Sequence, residues 1–513
     1  MYSNALIYGK NPLERIVSLE VVDDQLEVFQ QQDDGSIHSI FFPNRFWLLS
    51  PKWFGDGSVK LQGNQHYCYG KQYKERKEFM SERGRMSKSD VFSIFNPKEA
   101  IMVKDGYTYF KGLKPNEVSI LSFDIETTGL KMNDTSKVLL ISNTFRDSKG
   151  KVTRKLFSYE NYACCGEMIL DWSNWVQTVD PSILCTHNGM CYDLPYMHYC
   201  AGKTGHNLEI GRDGSNIQFE EFERKYRVDG SRELSYKRAS IYGREIVDTM
   251  FLAYKYDAAS KKYESYGLKN IIKQEGLEKK DRQFYDAGKI KDNYRDSAEW
   301  EKIKKYAIED SDDALMLYDL MIPAFFYMTQ SIPKSFQIMI ESATGAQLNS
   351  LLVRSYLQEK YSIPKADDVI QYEGAISFGI PGIYRNVLKV DAVSEYPSCM
   401  IQYEVYDKKK DPKKNFFKMV ETFTSQRIAH KKLAKDTGDK YYKDMEQAEK
   451  IAINSAYGLL GAPGLNFNSP QNAALVTKLG RECIMKSIEW ASGKSSQYWI
   501  DKCKGENEDE SSE

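Results

Sequence analysis

Two acidic residues occupy alternate positions in one apolar segment of the sequence. The segment 121–127 reads Leu-Ser-Phe-Asp-Ile-Glu-Thr, which predicts a β-strand. Because strand side chains alternate between the two faces, Asp124 and Glu126 should project together, with apolar side chains packed behind them. Neighbouring carboxylates repel each other unless a cation lies between them, and oxygen ligands of this kind favour Mg²⁺ or Mn²⁺ over zinc. The pair is therefore predicted to bind a divalent metal.

Two further acidic residues have comparable settings. Asp193 is predicted where the end of a strand turns into a helix, because Pro195 fits the first turn of a helix. Tyr306 and Asp310 are four residues apart and should share one face of a helix. Four carboxylates and one phenol can thus converge on one side of a sheet.

A second group of polar residues lies in the last quarter of the sequence. The residues before Asp391 predict a strand that delivers this carboxylate into a turn. Lys450 and Asn454, followed by Tyr457, have helical spacing and should lie near one face. About 20 residues earlier, the basic residues at 427 and 431 are also four apart. That basic pair predicts either a phosphate-binding site or a solvated helix face.

The elements that would position these residues fall into three regions. Residues 1–115 contain short β segments with turns, and residues 116–335 alternate strand and helix, which indicates an α/β region. A long helix is predicted from residue 336 to about Pro364, followed from 384 by a strand, a loop and two helices. The strands predicted in the second region are 118–125, 137–145 and 182–187, and its helices are 167–178, 247–256, 266–275 and 297–320.

Composition narrows the class of protein. The chain has 513 residues, which suggests several domains, with 71 basic and 72 acidic residues and a formal net charge of −1. This balance excludes a uniformly basic nucleic-acid-binding surface but allows a local basic groove. No apolar run approaches the roughly 18 residues needed to cross a bilayer, and the amino-terminal residues do not form a positive flank followed by an apolar core, so we expect a cytoplasmic protein with no membrane partner.

In their order and on these element types, the acidic motifs resemble the three exonuclease motifs of family B DNA polymerases: Asp-x-Glu, Asn-x-x-x-(aromatic)-Asp and Tyr-x-x-x-Asp. The resemblance implies a ribonuclease-H-like domain with a 3′→5′ proofreading exonuclease that uses two Mg²⁺ or Mn²⁺ ions. It also implies that Tyr306 positions the attacking water or the phosphate and that Asn188 contacts the DNA. The implied metal ligands are Asp124, Glu126, Asp193 and Asp310.

The second group resembles two polymerase motifs of the same family. Residues 391–398 resemble the first palm motif, Asp-x-x-Ser-Leu-Tyr-Pro-Ser, and residues 450–458 resemble the fingers motif Lys-x-x-x-Asn-Ser-x-Tyr-Gly. The resemblance implies that Asp391 binds both metal ions of a second catalytic site. Glu395 departs from the family, which usually has Leu there, and an extra carboxylate should repel a triphosphate. The residues implied to bind the nucleotide are Tyr396, Arg427, Lys431, Lys450, Asn454 and Tyr457.

The family completes its polymerase site with a Tyr-x-Asp-Thr-Asp-Ser hairpin, and this sequence contains no Asp-Thr-Asp. We therefore expect the amino-terminal subunit of a split DNA polymerase for replication, of phage or archaeal type, whose partner chain supplies that motif and a thumb. The predicted domains are an N-terminal β-rich domain (1–115), the exonuclease (116–335), the first part of the palm (336–411), helical fingers (412–465) and an incomplete continuation of the palm (466–513).

Three alternatives remain open. The chain can be a stand-alone 3′→5′ DNA exonuclease with a vestigial polymerase part, a non-catalytic subunit that binds primer–template DNA, or a truncated product. The expected substrates are primer–template DNA, single-stranded 3′ ends and deoxynucleoside triphosphates, with a sliding clamp as a further partner. An Asp-Gly pair at 229–230 predicts a hairpin between the second and third exonuclease motifs.

Overall fold

The computed structural model describes residues 2–227, 233–258, 260–392 and 394–504. Its first region is rich in β-structure, as predicted. The strands are β1 (Ile16–Val22), β2 (Gln25–Gln31), β3 (Ile37–Pro43), β4 (Phe46–Ser50), β5 (Val59–Lys60) and β6 (Tyr69–Tyr73). They form two antiparallel sheets in the orders β1-β2-β3 and β4-β6-β5. The helices are α1 (Ala5–Tyr8), α2 (Arg76–Arg85) and α3 (Pro97–Asp105).

The second region is built on a five-stranded mixed sheet. The strands of the whole region are β7 (Ile120–Thr127), β8 (Val138–Arg146), β9 (Val152–Ser158), β10 (Ile183–Thr186), β11 (Gln218–Phe219), β12 (Arg224–Arg227), β13 (Glu233–Tyr236), β14 (Ala239–Ser240) and β15 (Glu245–Asp248). The large sheet has the order β15-β10-β7-β8-β9, in which β10 runs parallel to β7 and β15 whereas β8 is antiparallel to its neighbours. The predicted α/β character is confirmed.

Helices cover this sheet, and those described lie at predicted positions except for the short one at 290–293, which was not predicted. They are α4 (Cys165–Val179), α5 (Asp193–Lys203), α6 (Thr249–Asp257), α7 (Leu268–Gln274), α8 (Ile290–Asn293) and α9 (Ser297–Met321). On the face of β7 opposite its acidic residues, Phe123 packs against Trp172 of α4, with ring centroids 5.1 Å apart. Both side chains are fully buried, so β7 lies over an apolar core that fixes its position.

The predicted hairpin is present as a pair of antiparallel strands, β12 and β13. Its predicted Asp-Gly turn at 229–230 lies outside the described residues.

The prediction of one long helix after residue 336 is wrong. The structure has three short helices around this position, α10 (Pro323–Thr329), α11 (Phe336–Glu341) and α12 (Thr344–Leu357). Ser342 and Ala343 between the last two have extended backbone, with ψ of 150° and 142°. Lys255 donates hydrogen bonds to the carbonyl groups of Met339 and Ser342, at 2.6 Å and 2.5 Å, which satisfies the end of α11 at this break.

The strand predicted to carry Asp391 is also absent from the part of the chain that the structure describes. Residues 364–392 contain no helix or strand, and residues 381–392 are exposed throughout. Val387, Leu388 and Val390 expose 72%, 85% and 83% of their surface. A strand requires a hydrogen-bonded neighbour, and no described strand lies beside this segment, so its alternating apolar residues have nothing to pack against.

The last region is helical. Its helices are α13 (Glu395–Gln402), α14 (Asn415–Thr437), α15 (Lys440–Gly461), α16 (Pro470–Ser492) and α17 (Ser496–Lys504). Helices α14 and α15 are joined by a tight turn, in which Gly438 has a φ of 69° and the Asp439 side chain accepts a hydrogen bond from the Tyr441 amide. Over the ranges described here, every helix is too short or too polar to cross a membrane.

Candidate active site

The structure brings three of the predicted metal ligands together. Asp124 and Glu126 project from β7, and Asp310 approaches them from α9. One carboxylate oxygen of each lies within 4.8 Å of the others. Glu126 and Asp310 are buried. Because the three acids are on two rigid elements, their oxygen atoms form a compact, preorganised set of hard ligands that fits a divalent cation.

Asp193 lies near this set but is engaged differently. It begins α5, and its Oδ1 accepts a hydrogen bond from the backbone amide of Ile125 at 3.2 Å. Since Ile125 lies between the two acidic residues of β7, this bond ties α5 to the strand that carries them. The Asp193 carboxylate therefore fixes the strand locally, and it is not among the oxygen atoms that converge within 4.8 Å.

Electrostatics in the cluster favour a bound cation. Burial, followed by the charges of Asp193, Glu126 and Asp310, holds the pKa of Asp124 well above its usual value. Burial and the neighbouring Asp310 raise the pKa of Glu126 to about 8, and burial raises the pKa of Asp193 to about 7. Carboxylates that repel one another in a low-dielectric site are stabilised in their charged form by a metal ion. The donor set thus fits the predicted Mg²⁺ or Mn²⁺.

Tyr306 lies beside the acids, one helical turn before Asp310, and is buried. Burial and the charge of Asp310 raise the pKa of its phenol, so the group remains protonated and can donate a hydrogen bond. This position agrees with the prediction that Tyr306 and Asp310 share one face of a helix.

Lys269 is a residue of this site that the sequence did not single out. Its Nζ donates a hydrogen bond to the Tyr306 hydroxyl and lies 3.6 Å from Asp310 Oδ2. It also lies 4.0 Å from the centroid of the Tyr306 ring. Helix α7 was predicted, but a single lysine in it carries no local signal of its function, because its partners are on α9, 37 residues away.

Asn188 has a left-handed backbone, with a φ of 66°, in the loop between β10 and α5. Asp248 fixes this loop by accepting hydrogen bonds from the amides of Asn188 and Met190, at 2.9 Å and 3.0 Å. Asp248 also caps α6 through the Met250 amide. Asp248 is thus both a helix cap and a loop anchor, and a contact between Asn188 and DNA stays a prediction.

The second group of predicted residues is less compact. Tyr396 on α13 contacts Tyr457 on α15, with ring centroids 4.9 Å apart, and the Tyr457 hydroxyl is 3.1 Å from that of Tyr372. Asp391 is exposed in the segment without regular structure. One buried oxygen of Glu395, Oε1, has no hydrogen-bond partner, and burial followed by the charge of Asp391 raises the pKa of Glu395.

The basic residues of the second group lie on the α14–α15 pair. Arg427 forms an ion pair with Glu446 at 2.8 Å and a hydrogen bond to the Ser394 hydroxyl. Lys431, Lys450 and Asn454 are exposed. Arg427 therefore links the helix pair to the start of α13, whereas the two lysines present their charges to solvent.

Comparison with known proteins agrees with this arrangement. Residues 71–271 match the family model for the DNA polymerase family B exonuclease domain, and residues 403–511 match the model for DNA polymerase family B. The first range contains Asp124, Glu126 and Asp193, and the second contains the fingers motif. The chain belongs to DNA polymerase family B.

Relatives and a solved structure point to archaeal proteins. The chain is 25% identical over 420 residues to a DNA polymerase of Pyrococcus glycovorans, covering 74% of this chain and 52% of that protein. It is 25% identical over 353 residues to a DNA polymerase of Archaeoglobus fulgidus, covering 63% and 42%. The chain thus spans about half the length of the curated relatives it matches. The family B DNA polymerase of Pyrobaculum calidifontis has the same fold, with a TM-score of 0.74 at 18% identity over 93% of this chain and 71% of that one.

Proposed function

We propose that residues 116–335 form a metal-dependent 3′→5′ exonuclease acting on single-stranded DNA 3′ ends. The convergence of Asp124, Glu126 and Asp310 within 4.8 Å is the observation that carries this proposal. Two divalent ions, when bound, would lower the pKa of the attacking water and neutralise charge on the scissile phosphate. Asp193 would complete the ligand set from its position beside Ile125.

The remaining residues of this site hold and orient the substrate. The Tyr306 hydroxyl, kept protonated by its buried setting, would donate a hydrogen bond to the attacking water or to a phosphate oxygen. Lys269 holds that hydroxyl in place and supplies a positive charge beside Asp310. Asn188, at the loop that Asp248 fixes, would contact the DNA strand.

We further propose that the palm and fingers residues form part of a nucleotidyl-transfer site. Asp391 would bind the metal ions and Tyr396 would pack under the sugar. Asn454 and Tyr457 would line the nascent base pair. The contact between Tyr396 and Tyr457 supports this, because it places the palm motif against the fingers helix. The cations that would bind the triphosphate are Arg427, Lys431 and Lys450. A second palm carboxylate would come from outside residues 1–513, on the same polypeptide or on another.

The domain bounds belong to the same proposal. We assign residues 1–115 to an N-terminal domain, 116–335 to the exonuclease, 336–411 and 466–513 to the palm, and 412–465 to the fingers. Replication of DNA from a primer–template with deoxynucleoside triphosphates is the activity that these parts would serve together.

The exonuclease is tested by degradation of a 3′-labelled single-stranded oligonucleotide in Mg²⁺. Asp124→Ala should lower the rate about 10³-fold, because several kcal/mol of transition-state stabilisation are lost with the metal site. Asp391→Ala is the matched control and should leave the rate unchanged. Equal rates for wild type and Asp124→Ala would show that the acidic cluster does not catalyse this reaction.

The nucleotide site is tested by binding of a Mg²⁺–deoxynucleoside triphosphate to the full chain. Lys450→Ala should weaken binding about tenfold or more, since a charged hydrogen bond to phosphate contributes about 1.5–3 kcal/mol. Lys443→Ala, an exposed lysine on the same helix that we assign no function, is the control. Equal losses in both variants would mean that only general charge attracts the nucleotide.

A second candidate function is a DNA exonuclease whose polymerase part is inactive. Glu395, with its unpaired buried oxygen next to the sugar-contacting Tyr396, favours this alternative. It predicts exonuclease activity together with no measurable nucleotide binding in the experiment above.

A further inference from the structure

The metal ligand Asp310 belongs to an acid-rich run on α9, Glu309-Asp310-Ser311-Asp312-Asp313. Asp310 and Asp313 are buried and lie one helical turn apart on the same side of the helix. Two buried carboxylates so close together repel each other unless a cation compensates them. The structure places one cation between them.

That cation is Arg282, from the loop between α7 and α8. Its side chain is 1% exposed. Nη2 donates to Asp310 Oδ1 at 2.7 Å, Nε donates to Asp313 Oδ2 at 2.9 Å, and Nη1 donates to the Gln283 carbonyl at 3.2 Å. Because the planar guanidinium is held at three points, its orientation is fixed, and the orientation of Asp310 is fixed with it.

The two carboxylate oxygen atoms of Asp310 therefore have different partners. Oδ1 is occupied by Arg282, whereas Oδ2 lies 3.6 Å from Lys269, on the side of Tyr306. Oδ2 is left to act as a metal ligand. Groups that hold a ligating carboxylate by hydrogen bonds from behind set its direction and its affinity for the metal.

We propose that Arg282, anchored by Asp313, is a positioning residue that orients Asp310 for divalent metal binding. The proposal rests on the exonuclease site proposed above. It assigns a function to a buried arginine and a buried aspartate that neither the acidic motifs nor the metal-ligand cluster contain.

The neighbouring Asp312 provides a matched comparison. Its Oδ1 accepts hydrogen bonds from Thr144 and from Arg154 Nε, at 2.7 Å and 2.8 Å, and its Oδ2 pairs with Lys279 at 2.6 Å. This network has the same charge types on the same helix, and Asp312 is as buried as Asp310. None of its recorded contacts reaches Asp310, so its loss should affect folding without affecting the metal.

The experiment measures Mn²⁺ binding to the full chain by electron paramagnetic resonance. The bound Mn²⁺ that is lost in Asp124→Ala is assigned to the exonuclease site. Arg282→Gln should bind Mn²⁺ at this site about 10–100-fold more weakly, the usual cost of removing a group that orients a metal ligand. The Mn²⁺ affinity of Lys279→Gln should stay within about twofold of the wild-type affinity, because Lys279 does not orient a metal ligand. Excess Mn²⁺ should restore the exonuclease rate of Arg282→Gln, which a loss of folded protein would prevent.

Two further variants keep the test decisive if Arg282→Gln does not fold. Arg282→Lys retains the charge but lacks the planar fork that fixes the orientation of Asp310, and Asp313→Asn removes only the anchoring charge. Both should weaken Mn²⁺ binding by a smaller factor. Wild-type affinity in the folded Arg282 variants, or an equal loss in Lys279→Gln, would overturn the proposal. If Asp124→Ala bound as much Mn²⁺ as the wild type, this result would overturn the exonuclease site itself, and the positioning function with it.

Discussion

The two candidate catalytic regions differ in how completely their acids are held. Asp124 lies on β7, which has hydrogen-bonded strands on both sides, and it meets Glu126 and Asp310 within 4.8 Å. Asp391 lies in an exposed segment that pairs with no described strand. A carboxylate is fixed when its backbone is paired and its neighbours are packed. The comparison therefore teaches that the acids of the first region are preorganised, whereas Asp391 is not held by any described strand.

The cations of the two regions differ in the same way. In the exonuclease region, Lys269 and Arg282 contact Asp310 directly and compensate its charge. Of the three cations in the fingers region that we assign to the nucleotide, Arg427 forms an ion pair with Glu446, whereas Lys431 and Lys450 are exposed. The cations of the first region are paired with acids, whereas the two exposed lysines of the second can meet a negatively charged ligand such as a triphosphate.

The largest expected difference between the regions is in amide hydrogen exchange. Of the amides from 366 to 392, that of Asp367 is the one with a recorded hydrogen-bond acceptor, the Asn468 side chain. These amides should exchange nearly as fast as in an unfolded chain, whereas those of β7 open only with large-scale unfolding. We expect a difference of at least about 10³-fold in exchange rate, measured by mass spectrometry of the metal-free chain.

Addition of a chain or segment that supplies the second palm carboxylate should slow exchange in 366–392 and leave β7 unchanged. Strong protection of this segment in the isolated protein would contradict the comparison, because it would show that the palm motif is already held.

A smaller effect is expected from Lys269→Gln. The substitution removes the charge beside Asp310 and the donor to the Tyr306 hydroxyl while retaining a polar side chain. The exonuclease rate should fall about 10–100-fold, since a charged hydrogen bond of about 1.5–3 kcal/mol is lost in a buried site. Nucleotide binding by the fingers should not change.

Lys273→Gln, one turn further along α7, is the control for this variant. If Lys269→Gln retained the wild-type exonuclease rate, Lys269 would only neutralise Asp310 in the metal-free protein and would have no part in catalysis.

The sequence predicted what depends on local spacing. The period of two placed Asp124 and Glu126 on one face of β7, and the spacing of four placed Tyr306 beside Asp310. These relations follow from the geometry of one strand or one helix, which is why residue spacing alone was sufficient.

Contacts between distant segments were not predictable in this way. Lys269 and Arg282 reach α9 from separate segments, and a single basic residue in a polar stretch has no distinguishing pattern. The prediction of a strand before Asp391 was wrong for a related reason, because alternating apolar residues form a strand only beside a neighbouring strand. The prediction of one long helix was wrong because a residue far away in sequence, Lys255, donates hydrogen bonds to the carbonyl groups where α11 ends.

The smallest expected effect is on the pH dependence of the Tm in the absence of metal, to which the buried acids of the first region should contribute and Asp391 should not. The pKa of Glu126 is raised to about 8 by burial and by Asp310, from 4.5 in an unfolded chain. A raised pKa stabilises the fold fully below pH 4.5, and this contribution is lost as the pH rises through about 8. In EDTA, the Tm of the wild type should therefore fall between pH 5 and pH 8.5 by an amount on the order of 5 °C more than that of Glu126→Gln. Mg²⁺ should restore the wild-type Tm at pH 8.5.

Glu301→Gln, an exposed residue on the same helix as Asp310, is the control and should follow the wild-type pH profile. Asp391→Asn should follow it as well, because an exposed carboxylate in an unpaired segment contributes little to the folded state. The difference between Glu126→Gln and Asp391→Asn then measures the combined cost of burying the Glu126 charge and of placing it beside Asp310 in the absence of a cation. Identical profiles for wild type and Glu126→Gln would mean that the cluster is already compensated by Lys269 and Arg282, and that the preorganisation of the site carries no cost.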